Sequence, residues 1–331
     1  MPALDAAAFV RGCAWPTGGA GVPYPRADPK DFSRLPVDTW ATAQIPATVR
    51  LEWVGDAPAV ELSYRTATDE LGYRGKGAGT TFALWRGGEC LDEQPAVLGE
   101  GSVRLSCGRG DPDTPATVYL PEGMKPAVRT VEATSGAVEP APARPRWIAY
   151  GDSVAEGWIA EGPSGAWPAV AARAAGLDVC NLGYAGSARG ETASAEQIAA
   201  LAAEVISITH GTNCWTRTPF STGVMYAQTV TFLEIVRQGH PHTPIVVATP
   251  VVRPDAENTP NRLGATLPDL RAAMAQAAQE RIDAGDDRLW LIAGQDLLTP
   301  AQLGDGIHPG DEGHRVLAAT IGAKVASVVS A

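Results

Sequence analysis

The chain has 331 residues, of which 45% are apolar and 19% charged; 37 acidic side chains outweigh 26 basic ones, for a net charge of −11. The length suits two domains and the composition suits a folded soluble protein, while the acidic balance without a Lys/Arg block excludes a nucleic-acid footprint and disfavours anionic membrane surfaces. The first residues, Met1-Pro2-Ala3-Leu4-Asp5, show neither the basic region nor the apolar core of a secretory signal, and no apolar run is long enough to span a bilayer. Five scattered cysteines (Cys13, Cys90, Cys107, Cys180, Cys214) include no Cys-x-x-Cys pair. A disulfide framework and a zinc site are therefore not expected, and a reducing cytoplasm fits.

Residues 1 to about 45 are rich in Gly and Pro, as in Pro16-Thr17-Gly18-Gly19-Ala20-Gly21, and read as irregular or edge structure with one short strand. A period of two then sets in. Val49, Leu51 and Trp53 alternate with Arg50 and Glu52, and Val60, Leu62 and Tyr64 with Glu61 and Ser63. Phe82 and Leu84 lead to a Gly87-Gly88 hairpin turn; Val103–Cys107, Thr117–Leu120 and Val128–Val131 continue the set. Short strands at regular spacing predict an antiparallel sandwich, with no helix before residue 140. A spacer at 134–146 holds Pro140, Pro142 and Pro145, and the domain boundary is placed there: 1–140 all-β, 141–331 a second domain.

Beyond the spacer, strand-like runs (Trp147–Tyr150, Leu177–Leu182, Val205–Thr209, Ile245–Thr249, Leu289–Ala293) alternate with helical ones (Ala166–Ala175, Ala195–Ala203, Ala227–Gly239, Asp269–Ala284, Glu312–Val328). That rhythm predicts a five-stranded parallel sheet covered on both faces. The segment Tyr150-Gly151-Asp152-Ser153 reads as strand, tight turn and helix start, with the Ser153 hydroxyl at the carboxyl end of its strand, where α/β sheets carry their reacting groups. Gly-Asp-Ser is also ordinary turn chemistry, and Asp152 reads as turn support.

Four segments occur in order: Gly151-Asp152-Ser153; Asn181-Leu182-Gly183-Tyr184-Ala185-Gly186-Ser187; His210-Gly211-Thr212-Asn213; and Asp305-Gly306-Ile307-His308-Pro309. Together they resemble four conserved blocks of the SGNH/GDSL hydrolase family, over roughly residues 147–331. The resemblance implies a flavodoxin-like three-layer α/β/α domain behind an all-β jelly-roll or sandwich domain, as in two-domain carbohydrate esterases and in natural-product acyltransferases. It makes Ser153 the nucleophile, His308 the base that takes its proton and Asp305 the group that orients the imidazole. It assigns the oxyanion hole to the Ser153 and Gly186 N–H groups and the Asn213 side-chain amide. Cys214 stands where the family often has aspartate, and Val154 where leucine or isoleucine is common.

Other candidates read as structure. Gly183 is a tight-turn residue, His210 a packed and hydrogen-bonded histidine, and His314 a solvated one. His240 and His242 form a helix stop without a third metal ligand, and Gly183 to Gly190 has the wrong spacing for a dinucleotide loop. Trp158, Trp167 and Trp215 flank the motifs, as acyl-pocket lining or as core. The expected activity is ester hydrolysis on a small-molecule or sugar ester, with no cofactor and no metal. One alternative is acyl transfer from a thioester to a sugar or other alcohol acceptor; another is a carbohydrate-binding protein with an inert second domain.

Overall fold

A computed structural model describes residues 2–16, 22–69 and 79–329. Of the Gly-rich stretch expected to be irregular, 17–21 lie outside the described residues. The chain opens with two-residue strands β1 (Leu4–Asp5) and β2 (Val10–Arg11), and then forms a helix that the sequence reading excluded, α1 (Val37–Ala43). Its start is set by Pro36, with Asp38 in the first turn complementing the helix dipole. Of α1 only Thr39 and Ala43 are buried, with Trp40 partly buried against the same core, so seven residues offer too few apolar positions to display a period.

The β-rich region continues with β3 (Arg50–Val54), β4 (Ala59–Thr66), β5 (Thr81–Arg86), β6 (Glu89–Pro95), β7 (Gly99–Ser106), β8 (Ala116–Tyr119), β9 (Pro126–Ala133) and β10 (Glu139–Pro140). They form two antiparallel sheets, ordered β1-β9-β4-β7 and β10-β3-β8-β5-β6, with β2 also against β3. Leu51, Trp53, Phe82 and Val118 of one sheet share a single core with Leu62, Tyr64, Leu105 and Val131 of the other. β6 has no alternation because it is a largely exposed edge strand. It pairs with β5 through the Gly87-Gly88 turn, where both glycines have positive φ (58° and 87°), as a two-residue hairpin requires.

One strand departs from the expected inside–outside alternation. Arg50 and Glu52 of β3 are as buried as Leu51 and Trp53 between them. The outer face of this sheet is covered by the second half of the chain. Arg50 Nε bonds Glu52 at 2.5 Å and its Nη2 bonds Asp178 at 2.7 Å, and Arg144 closes on Glu52. Buried charges persist only when paired in this way.

The second half alternates strands and helices: β11 (Arg146–Gly151), α2 (Ser153–Glu156), α3 (Trp167–Ala175), β12 (Asp178–Gly183), α4 (Thr192–Ala200), β13 (Val205–Thr209), α5 (Asn213–Thr216), α6 (Thr222–Gly239), β14 (Ile245–Ala248), α7 (Pro254–Glu257), α8 (Leu267–Asp283), β15 (Leu289–Ile292), α9 (Asp311–Leu317) and α10 (Ala323–Val329). The five strands form one parallel sheet in the order β12-β11-β13-β14-β15. Successive side chains of β11 feed two cores: Ile148 and Tyr150 one face, Trp147 and Ala149 the other. This is the flavodoxin-like architecture expected, with helices on both sides. α6 begins five residues before the predicted start, because Ser221 caps it by accepting the Val224 N–H at 3.3 Å. The last predicted helix is interrupted by a π turn at Ala318–Gly322, where Gly322 lets the backbone press on Ala171; a Cβ there would sit 2.4 Å from the alanine methyl. Among the described residues, no helix is long and apolar enough to cross a membrane.

Candidate active site

Strand order reverses at β11, which has β12 on one side and β13 on the other, so a crevice opens beyond its carboxyl end. Register puts Gly151, Gly183 and Thr209 level at that edge. The loops that follow them carry Ser153, Gly186 and Asn213. Gly151 is obligatory in the first turn, since a Cβ there would lie 2.4 Å from Thr209 Oγ1 and 2.6 Å from the Ala155 methyl. Gly183 differs from its expected turn role. It ends β12 in extended backbone, and a Cβ would strike the Glu156 nitrogen at 2.4 Å, so it allows close packing of strand on helix.

Asp152 is structural, as expected. Its Oδ1 accepts the Val154 N–H at 3.1 Å, capping α2, and its Oδ2 accepts the Thr212 N–H at 3.3 Å, tying the first loop to the third. Burial pushes its carboxyl above the usual range, only partly offset by those two N–H groups and by His308.

Ser153 Oγ lies 2.9 Å from His308 Nε2, and His308 Nδ1 lies 2.7 Å from Asp305 Oδ2. Asp305 and His308 share one loop, closed at its base by a Leu303–Pro309 bridge. The second Asp305 oxygen accepts the Ile307 and His308 N–H groups at 2.9 and 2.7 Å, which fixes the carboxylate before it meets the imidazole. Burial raises the Asp305 carboxyl pKa, but the His308 side chain and these two amides outweigh it, and the net shift is downward. Asp305 thus remains an anion facing Nδ1, and the tautomer with the proton on Nδ1 leaves Nε2 free to accept from Ser153.

Asn213, first residue of α5, is buried, yet its Nδ2 donates to no acceptor among the described residues. A buried amide left without a partner costs about 1–3 kcal/mol, and at a cleft wall such a donor is within reach of a bound ligand. Gly186 stands across the cleft in the left-handed region (φ 72°). The cleft encloses about 260 Å³ and is bounded by Ser153, Gly186, Asn213, Trp158, Arg217 and His308, among others. Ser153, His308, Gly186 and Asn213 thus border one cleft, and Asp305 joins it through His308. Trp158 lies over His308, with ring centroids 5.6 Å apart.

The remaining candidates fall elsewhere. Trp167 is core, packed on Trp147 at 5.5 Å, while Trp215 bonds Thr259 O and sits beneath Arg253. Cys214 is fully buried in the core against the sheet, and all five cysteines are free thiols. His210 is packed between Tyr150 and Phe232, but its Nδ1 has no hydrogen-bond partner among the described residues, and burial pushes its pKa down to about 4. His314 is buried, not solvated: Nδ1 accepts the Trp167 N–H at 3.3 Å and Nε2 lies 3.2 Å from Trp158 O. His240 does end α6, bonded to Ile198 O at 2.9 Å. Among the described residues, no group of His, Cys, Asp and Glu is arranged to hold a metal.

Sequence reasoning missed the support behind the cleft. Arg26 and Glu156 are fully buried and meet at 3.1 Å. Arg26 also donates to the carbonyls of Gly183, Ile45 and Thr42, and Glu156 accepts the Ala185 N–H at 2.9 Å. Arg189 forks onto Asp38 of α1 at 2.9 and 3.0 Å. The segment around α1 thus grips the loop that carries Gly186 without lining the cleft.

A parallel α/β sheet with a serine–imidazole–carboxylate chain at its switch point has the build of an enzyme that acts on acyl esters. The sequence profile of the GDSL-like lipase/acylhydrolase family matches residues 149–316, and the chain belongs to that family. Among curated proteins none matches. Among solved structures, the fold is similar to the salicylyl-acyltransferase SsfX3 from a tetracycline biosynthetic pathway (TM-score 0.83, 23% identity, covering 99% of this chain and 97% of that one). It is also similar to a family two carbohydrate esterase from Clostridium thermocellum, solved with cellohexaose (TM-score 0.62, 15% identity, 85% and 92% covered). Both likenesses run through the β-rich region as well as the α/β region, since each covers far more than residues 149–316.

Proposed function

We propose that this chain is a serine esterase acting through an acyl-enzyme on Ser153, with a β-rich domain at 1–140 and a catalytic domain at 141–331. The observation that carries this is the hydrogen-bonded chain Ser153–His308–Asp305 beside the unpartnered Asn213 amide. His308 Nε2 takes the Ser153 proton as Oγ attacks the ester carbonyl, and Asp305 stabilises the imidazolium. The oxyanion is received by the Ser153 and Gly186 N–H groups and by Asn213 Nδ2. His308 then protonates the leaving alcohol or thiol, and water, activated by the same imidazole, releases the acid. The substrate is a small-molecule or sugar ester, and five free thiols support a reducing, cytoplasmic setting.

Acyl transfer to an alcohol is the second reading, favoured by the shared fold with the salicylyl-acyltransferase over nearly the whole chain. It differs only in which hydroxyl reaches the acyl-enzyme. A carbohydrate-binding protein with an inert second domain finds no support in a site whose nucleophile and base are already hydrogen-bonded.

Product partition tests the first reading against the second. With a p-nitrophenyl ester or an acyl thioester and a panel of alcohols and sugars, chromatography is expected to show free acid as the main product. Ester product rising at the expense of acid, at acceptor concentrations far below that of water, would establish the transferase instead. Asn213→Ala is expected to lower kcat about 10²–10³-fold with little change in KM, the cost of removing one oxyanion donor. A loss smaller than about tenfold in steady-state kinetics would place the reacting oxygen away from Asn213.

A further inference from the structure

Among the described residues, the cleft beside Ser153 is bordered by two guanidinium groups, Arg217 and Arg253, and by no carboxylate side chain, in a chain with 37 acidic residues against 26 basic. The two arginines are not equivalent. Arg253 is neutralised by a bidentate pair with Asp255, at 2.8 and 3.0 Å, and rests over the Trp215 ring at 5.0 Å. The Arg217 side chain makes neither a hydrogen bond nor an ion pair with any described residue, although 16 of the described ion pairs use other basic groups. The side chain is exposed, but its backbone is held. The Arg217 N–H donates to Asn213 O at 3.0 Å, so the side chain leaves the same helical face as Asn213, four residues on. Its guanidinium lies against Gly186, where a methyl on that glycine would meet Nη2 at 3.6 Å and Cζ at 3.7 Å.

We propose that Arg217 forms an anion-binding subsite, so that the ester or thioester processed at Ser153 carries a carboxylate or phosphate close to its reacting carbonyl. This rests on the acyl-enzyme reading and adds the substrate class to it. A guanidinium presents a planar fork of donors that matches carboxylate and phosphate oxygens, and here the fork is unspent. A cleft with one uncompensated positive charge, in an otherwise acidic protein, draws anionic ligands and repels cationic ones. The anion has two possible origins, the acyl chain or the leaving group, and the two are separable.

The test compares matched pairs. One arm sets p-nitrophenyl adipate monoester against its neutral methyl ester. The other sets the acetyl thioester of 3-mercaptopropionate against that of its neutral methyl ester. In one arm kcat/KM is expected to favour the anionic member by about tenfold, the scale of one charge-assisted contact in a partly exposed cleft. Arg217→Gln is expected to erase that preference mainly through KM, Arg217→Lys to keep part of it, and added salt to shrink it. The arm that responds identifies where the anion sits. Equal rates within both pairs for the wild-type enzyme, or a preference unchanged in Arg217→Gln, would overturn the subsite while ester turnover persists. Failure of all four substrates together with no fluorophosphonate adduct on Ser153 would instead remove the acyl-enzyme reading, and the subsite with it.

Discussion

Ser153→Ala is expected to lower kcat for p-nitrophenyl ester hydrolysis by about 10⁵–10⁶-fold, to the residual rate that cleft binding and oxyanion donors supply without a nucleophile. Removing the hydroxyl deletes the bond-forming atom itself and not merely a helper. The fold is expected to survive, because the Oγ hydrogen bond shown by the structure is to His308 Nε2, a group that the cleft leaves open to water. The loss of one such bond costs about 1 kcal/mol. A fluorophosphonate should add its mass to the Ser153 peptide of the native protein and to no peptide of the variant. Ester turnover by Ser153→Ala within about tenfold of the native rate, with melting unchanged, would remove Ser153 from the reaction.

Arg26→Met is expected to destabilise the protein by about 3–5 kcal/mol, the range found when one partner of a buried ion pair is taken away. Arg26 and Glu156 are both fully enclosed, so deleting the guanidinium removes a positive charge from beside a buried carboxylate, where water cannot replace it. Four carbonyls of the surrounding loops, those of Thr42, Ile45, Asn181 and Gly183, also lose a donor. Denaturant midpoints should show the loss. The double variant Arg26→Met/Glu156→Gln should regain part of it, because without the guanidinium a neutral amide tolerates burial better than a carboxylate does. Kinetics should register the change too, since Glu156 anchors the Ala185 N–H immediately before Gly186. Under conditions where Arg26→Met is fully folded, kcat should fall more than KM rises. An unaltered midpoint, or a double variant no more stable than the single one, would show that this pair does not hold the loop.

Much of the α/β region is readable from local pattern. Each of its five strands falls within two residues of the apolar run that announced it, because strands buried on both faces need unbroken apolar stretches. The four motifs are equally local, each being a turn at the end of a strand or before a helix. Where pattern is short or polar, reading fails. Seven-residue α1 has too few turns to show a stripe, and β6 sits at an edge where alternation brings no gain. Arg50 and Glu52 look like an outward face until the α/β region covers them. His314 looks like a surface residue until Trp158 and Trp167 close over it.

The sequence by itself determined which chemical groups are present, on which kinds of element they sit, and that the second half would be a parallel α/β sheet. Those are properties of neighbours along the chain: hydrophobic period, turn residues and motif spacing. Only the tertiary structure decided which groups meet. Ser153 and His308 are 155 positions apart and Arg26 and Glu156 are 130 apart, yet each pair is in hydrogen-bond contact. No local period carries such a distance. It is set by sheet order, by the packing of helices on two faces and by the burial of charges that must find partners, all of which are properties of the whole folded chain.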